Sequence, residues 1–461
     1  MQFLRRVIAA LVLVVANAPA AVLIRDVNVV DLAAGRIVPH RSVLIVGRDI
    51  RAVGDDGAVH ASAKTTVVNG ARKYLMPGLW DMHVHLWYQQ NHFPLFLAWG
   101  VTGVRDMGSD FARTRAWQRA VAARTLIGPH VITCGSPLDG RASPDPKLPV
   151  IVVRTPAEAR REYDALEDQG VDFIKVLSGL PADAYFALLD RSRKWGTPVV
   201  GHVPSAVTVA QAVEARQRSM EHLLGMMLAG SPEEMKIRRQ LADAIERGDG
   251  KKSLQLYAHA LDTFDWHVAA DLFARMKLFD VWQTPTLTMW RRTYVLDGDA
   301  MVANPELKRI PKAIREQWKD PRPEAAAQAA EVRDFHQRQY DLNQEIVYRM
   351  QRAGVPLLAG TDTGDPWSYP GWELHEELAL MVKAGLTPLE ALRTATINPA
   401  HFLDADDSLG RVAPGFVADL VLLEANPLED IGNARRITAV LAAGHYLSKA
   451  KLNAMVAAMD R

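Results

Sequence analysis

Between Pro77 and Asp362 the chain repeatedly sets a short apolar run before a helical stretch, and that alternation constrains the fold more than any other feature. Strands alternating with helices at this spacing build parallel sheets from βα units. The first run spans Pro77 to His85, with Pro77 and Gly78 marking a break at its entrance. Gly103–Met107, His130–Cys134, Asp172–Leu177 and Pro198–Val203 supply the next four, and the charged stretch Pro156–Gln169 reads as the helix before the fourth run. Ser219–His222, Val281–Thr286 and Val355–Asp362 complete eight. Eight such units predict an α/β fold, a (β/α)₈ TIM-type barrel with insertions.

The flanks have a different texture. Short β-like runs occupy Val22 to Asn69, punctuated by Gly35, Gly47, Gly54 and Gly57, and the same pattern returns at Ala418–Leu423 and Ile437–Leu441. Both ends are expected to fold together as a small β-sandwich domain, residues 21–76 and 406–461, into which the barrel, residues 77–405, is inserted. Two long helical insertions, residues 231–274 and 289–354, are read equally as lids or substrate walls and as plain solvated helices.

Residues 1–20 begin with Arg5 and Arg6, continue as an apolar run from Val7 to Ala16 and end in Ala18-Pro19-Ala20. That is the pattern of a secretory signal peptide cleaved after Ala20, so a periplasmic or secreted location is expected, with no stable membrane insertion once it is removed. An uncleaved anchor is the alternative. Cys134, the sole cysteine, cannot form an intramolecular disulfide and reads as a small buried residue. A hydrophobic fraction of 49% and a charged fraction of 23% describe a folded globular chain. A net charge of +1 gives no reason to expect nucleic acid or an anionic membrane as partner.

Polar residues that are costly in buried strands fall at the C-terminal ends of these runs, where barrels collect catalytic groups: Lys175, His202, His222 and Asp362. His83 and His85, spaced i and i+2 on a strand, point to one side and can share a metal ion. By the same alternation Trp80 and Met82 are expected to face outward, towards the helices. Nitrogen and oxygen donors of this kind suit Zn²⁺ or another divalent first-row metal. A lysine within Phe173-Ile174-Lys175-Val176-Leu177 is disfavoured as a buried cation. As a neutral amine it can react with CO₂ to give a carbamate, an anionic ligand with two oxygens. Each residue also has a plainer reading. Lys175 can snorkel or pair with Asp362, His202 can be a satisfied core histidine, His222 a surface pair with Glu221, and Asp362 a turn or cap residue. Trp87, Tyr88, His92, His130, Tyr369 and Trp372 lie near strand ends and are read as pocket lining or packing.

In Pro77–His85, Gly100–Asp106, Phe173–Val176, Gly201-His202-Val203-Pro204, Ser219–His222, Gly360-Thr361-Asp362, Leu374–Leu378 and Gly410–Val421, the sequence resembles the amidohydrolase superfamily, specifically its imidazolonepropionase-like and prolidase-like members. The resemblance implies a dinuclear site. His83, His85 and Asp362 would hold the more buried metal, His202 and His222 the more exposed one, and carboxylated Lys175 and a hydroxide would bridge them. It implies two divalent ions, expected to be Zn²⁺ and ~3.5–4 Å apart, that activate the nucleophile and polarise the scissile carbonyl. Asp362 would pass the proton to the leaving nitrogen. The loop Gly135–Arg141 lacks the Gly-Gly-His sequence common among relatives and names no ligand group.

The reading that follows is an exported metal-dependent hydrolase of C–N amide bonds in a dipeptide or N-acyl amino acid, expected as a homo-oligomer. A mononuclear cyclic amidase or deaminase with unmodified Lys175 is one rival. Hydrolysis of an ester, lactone or organophosphate is another, and a metal-binding relative without catalysis is the third. A fold of this class does not choose among them.

Overall fold

The computed structural model describes residues 21–60 and 62–459, so the signal-peptide reading of residues 1–20 falls outside the described residues. The chain opens with β1 (Ala21–Asp31), β2 (Arg36–Val46) and β3 (Asp49–Asp55), an antiparallel meander. β4 (Thr66–Asn69) and β5 (Tyr74–Pro77) then pair parallel to successive parts of β1. β1 can serve both because its register shifts between Ile24 and Val29, around Asp26 at a φ of 52°.

Gly78 alone separates β5 from the first central strand, β6 (Leu79–Val84). β7 (Val101–Asp106) and β8 (His130–Thr133) follow, then two short strands not expected from the sequence, β9 (Leu138–Asp139) and β10 (Ile151–Val152). β11 (Ile174–Val176), β12 (Val199–Gly201), β13 (Ser219–Glu221) and β14 (Trp282–Thr284) complete the central set. All their pairings are parallel, in two ladders: β6-β7-β8, and β10-β9-β11-β12-β13-β14. Hydrogen bonds span the gaps between them. Asp172 N donates to Thr133 O at 3.0 Å, while residues 355–363 bridge Gln283 through Leu357 and Val84 through Thr363. The eighth predicted strand is thus a bridging segment, not a regular strand. Pro356 removes one donor, and Asp362 at a φ of 56° leaves the extended conformation.

The predicted helix Pro156–Gln169 occurs with those bounds. Thr155 caps it by accepting from Glu158 N, Pro156 fits its first turn, and Gly170 ends it at a φ of 77°. Long stretches of the two insertions are helical, including Glu234–Glu246, Gly250–Asp262, Trp266–Leu278 and Ala330–Ala353.

After the helix Ile397–Phe402 the chain returns through β15 (Leu420–Leu423), β16 (Ile437–Ala442) and β17 (His445–Ser448). β15 pairs antiparallel with β5, so the two chain ends share one sheet in the order β17-β16-β15-β5-β1-β2-β3, with β4 on β1. The hydrogen bonds connect all eight strands of the β-rich domain into one continuous sheet, because β1 has both β4 and β5 on one edge. Val22, Ile24, Val43, Ile45, Leu420 and Leu441 belong to a hydrophobic cluster of its own, apart from the cluster between central strands and helices.

Strict alternation also fails in β6. Trp80 and Met82 share a cluster with Phe173, Val200, Trp282 and Leu358, and with Phe402 of the helix Ile397–Phe402, and do not belong to the cluster between the strands and the surrounding helices. The register of β6 against β7 shifts between Leu79 and Trp80 and again between Asp81 and Val84. These shifts let Trp80, Met82, His83 and His85 all avoid the helix side.

Candidate metal centre

The six polar residues singled out in the sequence sit at C-terminal ends of the central parallel strands. His83 is the penultimate residue of β6 and His85 follows that strand, Lys175 lies in β11, His202 follows β12, His222 follows β13, and Asp362 lies in the bridging segment. His222 and Asp362 both have positive φ, 64° and 56°, a costly conformation for a residue with a Cβ. It turns the His222 side chain just past the end of β13 and the Asp362 side chain within the bridging segment. Gly360 makes the close approach of β6 possible, since a Cβ there would meet the His83 Cβ at 2.8 Å.

One donor atom from each of His83, His85 and Asp362 lies within 4.8 Å of the others. Asp362 Oδ1 is 3.3 Å from His83 Nε2 and 3.4 Å from His85 Nε2. Lys175 Nζ lies 3.5 Å from His83 Nε2, and the residue is 2% exposed, so it does not snorkel to solvent. The His222 ring lies 4.5 Å from that of His83 and 5.1 Å from that of His202, centroid to centroid. His222 is buried, which removes the surface-pair reading, whereas His202 remains partly exposed.

The opposite ring nitrogens are occupied. His83 Nδ1 donates to Glu221 Oε2 at 2.9 Å and His85 Nδ1 to Gly108 O at 2.8 Å. Thr286 gives its hydroxyl proton to Pro285 O, so its oxygen accepts from His222 Nδ1 at 2.7 Å. His202 Nδ1 is 2.8 Å from Ser178 Oγ. Fixing Nδ1 in this way presents Nε2 as the free donor, the arrangement of histidines that ligate metals. The donor set therefore fits divalent ions.

The electrostatics follow from burial and close approach. Burial disfavours the Asp362 charge, but His83 and His85 hold its carboxyl well below the usual carboxylate range. Burial lowers the Lys175 amine from its ordinary value against the pull of Asp362. Burial, reinforced by His83, takes His222 down to about 3, and burial with the neighbouring His222 takes His202 well below its ordinary value.

A layer the sequence reading missed holds these groups. Arg105, fully buried in β7, donates to both Glu221 oxygens at 2.9 and 3.0 Å, to Ser219 Oγ at 2.9 Å and to Met82 O at 2.6 Å. Ser219 Oγ donates to Glu221 Oε1 at 2.6 Å. Asp81 accepts from Thr361 Oγ1 at 2.7 Å and Thr361 N at 3.1 Å, with its carboxyl pushed by burial up to about 8. The signal was available: a charge inside Val101–Asp106 is as anomalous as Lys175 in its own strand. Cys134 is buried and burial raises its thiol, in keeping with packing and not nucleophilic attack.

A cavity of about 620 Å³ abuts the site on the His202 and His222 side, walled by both insertions through Leu241, Tyr257, Trp290, Tyr294 and Phe335. Trp290 Nε1 donates to His222 O at 2.8 Å, and Ser178, the partner of His202, lines the same space. A smaller cavity of about 140 Å³ lies towards His85, with Tyr88, His92, Lys147 and Asp365 in its wall, and Trp87 tilts on the His85 ring at 5.3 Å. Tyr369 and Trp372 line a third space of about 370 Å³ beside Arg291 and Arg292. His130 lies elsewhere, at the start of β8, 2.7 Å from Asp419 of the end sheet.

Comparison with known proteins gives the kinship. Residues 296–447 match the amidohydrolase family. Ochratoxinase from Aspergillus niger is 22% identical over 466 residues, covering 88% of this chain and 83% of that protein. An imidazolonepropionase from Deinococcus deserti is 40% identical over 84 residues, 18% of this chain and 21% of its own length. The solved structure of a bottromycin amidohydrolase aligns over 96% of this chain and 92% of its own with a TM-score of 0.75 at 23% identity. A Xaa-Pro dipeptidase with bound methionine aligns over 93% and 100% with a TM-score of 0.66 at 19% identity. The structural likenesses are to a fold, a barrel with an attached β-rich domain.

Proposed function

From a chain that carries an amidohydrolase-family domain on an amidohydrolase fold, we propose that the protein hydrolyses a C–N amide bond of a small molecule, a dipeptide or N-acyl amino acid, using two divalent metal ions. The observation that carries this reading is the convergence of His83 Nε2, His85 Nε2 and Asp362 Oδ1, with Lys175 Nζ against His83. His83, His85 and Asp362 would hold one ion and His202 and His222 the other, with Lys175, carboxylated by CO₂, shared between them. Ions bound there, Zn²⁺ by donor type, would supply Lewis acidity to the scissile carbonyl and acidify the attacking water.

The remaining steps belong to the side chains. Asp362 accepts the proton of the attacking water and delivers it to the leaving nitrogen. Before turnover it is ionised, since His83 and His85 hold its carboxyl well below the usual carboxylate range. Glu221 fixes the tautomer and orientation of His83, and Arg105 in turn keeps Glu221 ionised inside the barrel. Trp290 holds the backbone of His222 and, with the insertion helices, walls the cavity on that side. Export with cleavage after Ala20 and assembly as a homo-oligomer complete the proposal.

The test is a screen of Xaa–Yaa dipeptides and N-acyl amino acids with Zn²⁺ and bicarbonate, alongside metal content and intact mass. Hydrolysis with two metals per chain is expected, and Lys175→Ala should lower kcat/KM at least ~100-fold and reduce bound metal. One metal with an unmodified lysine would favour the mononuclear amidase, and ester or lactone turnover alone would move the substrate class. A metal-loaded protein inactive on every substrate would leave a binding relative.

A further inference from the structure

The cavity on the His202 and His222 side has a chemistry that the metal site does not require. We infer that it receives a bulky, uncharged aromatic group of the substrate. This rests on the amide-hydrolase reading above and names the substrate class within it.

Size comes first. About 620 Å³ lies within the ~300–1,000 Å³ of small-molecule sites and is generous for the side chains of ordinary dipeptides. The space is tied to the reaction centre, since Ser178 in its wall contacts His202 and Trp290 in its wall holds the backbone of His222.

Charge comes second. Among the lining residues Arg238 carries the one formal charge, and it is already engaged: Nε donates to Glu234 Oε1 at 2.7 Å and Nη1 to Ser205 O at 3.2 Å. An ionised substituent entering the space would lose water without gaining a counter-ion, which selects against it. Shape comes third. The Tyr294 and His336 rings stack face to face, 3.9 Å apart and 5° from parallel, and Trp290 and Phe335 add further flat surface. Such walls take a planar ring with greater contact than a branched aliphatic group.

Isothermal titration of the metal-loaded full chain with uncleaved amides tests the idea. 2-Naphthamide should bind at least tenfold more tightly than acetamide. Ala242→Trp, a change at an exposed position on the cavity rim, should weaken 2-naphthamide at least tenfold with an unaltered far-UV spectrum. Equal binding of 2-naphthamide and acetamide, or no effect of Ala242→Trp, would overturn the aromatic site. Turnover separates the two readings. If no amide is hydrolysed while the binding order holds, the activity reading fails alone. If N-acetylglycine is cleaved with no aromatic preference in binding or rate, the cavity reading fails alone.

Discussion

Arg105 shows how much of the centre depends on a side chain that touches no substrate. Its guanidinium stacks at 5.1 Å over Phe402 and at 5.8 Å over Phe173 while donating to Glu221, so a full charge is held inside the strand ring by one carboxylate and two aromatic faces. Burial lowers its proton affinity, and Glu221 opposes that effect. Removing one member of a buried pair strands the other, at a cost of about 3–5 kcal/mol. Arg105→Met should therefore lower stability by that amount in urea titrations and release His83 from its orientation, seen as weaker metal retention. Adding Glu221→Gln to Arg105→Met should recover part of the stability but not the metal. A single Arg105→Met as stable as the parent protein would show that the pair is not structural.

At the scale of elements, the short helix Leu287–Thr293 depends on a neighbour for its start. Its first residues follow Thr286 at a φ of 49°, and no side chain of its own caps it. Glu377, on the helix Trp372–Lys383, accepts instead from Leu287 N at 2.9 Å and Thr288 N at 2.8 Å. Burial pushes the Glu377 carboxyl up to about 7. The same short helix carries Trp290, which holds the backbone of His222, and Arg292, which donates to Asp362 O at 3.0 Å. One carboxyl thus orders an element that positions two of the six site residues. Glu377→Leu would leave both donors buried without partners, at ~1–3 kcal/mol each. The expected result is lower stability together with faster hydrogen exchange at 287–290, and unchanged exchange there would refute the capping role.

At the scale of the whole molecule, the barrel and the end sheet meet through His130 and Asp419, 2.7 Å apart. Burial and the positive Arg48 both act against the His130 charge, but the Asp419 carboxylate outweighs them and holds its pKa above 6.5. A histidine with a raised folded value stabilises fully below its unfolded pKa and loses that contribution as pH rises through the folded one. The stability difference between the protein and His130→Gln should therefore be greatest below pH 6.5 and shrink as pH rises beyond it. A difference that grows with pH would reverse the assignment. Among the described residues no helix is long and apolar enough to cross a membrane.

The sequence by itself determined the alternation of strands and helices, because buried parallel strands must be apolar along their length and their ends must turn. It also exposed Lys175, His202, His222 and Asp362, because polar groups at the ends of such runs stand out against their neighbours. It did not reveal that Trp80 and Met82 face the same interior as His83. That follows from two register shifts in β6, and a shift is set by pairing with β7, not by local residue preference. The β-texture at both ends pointed to one shared domain, but not to the pairing that joins them, which needs β15 to find β5 across more than 300 residues of intervening chain. The Arg105–Glu221 pair, the Glu377 cap and the aromatic cavity are of the same kind. Each joins residues distant in the chain, and only packing decides that they meet.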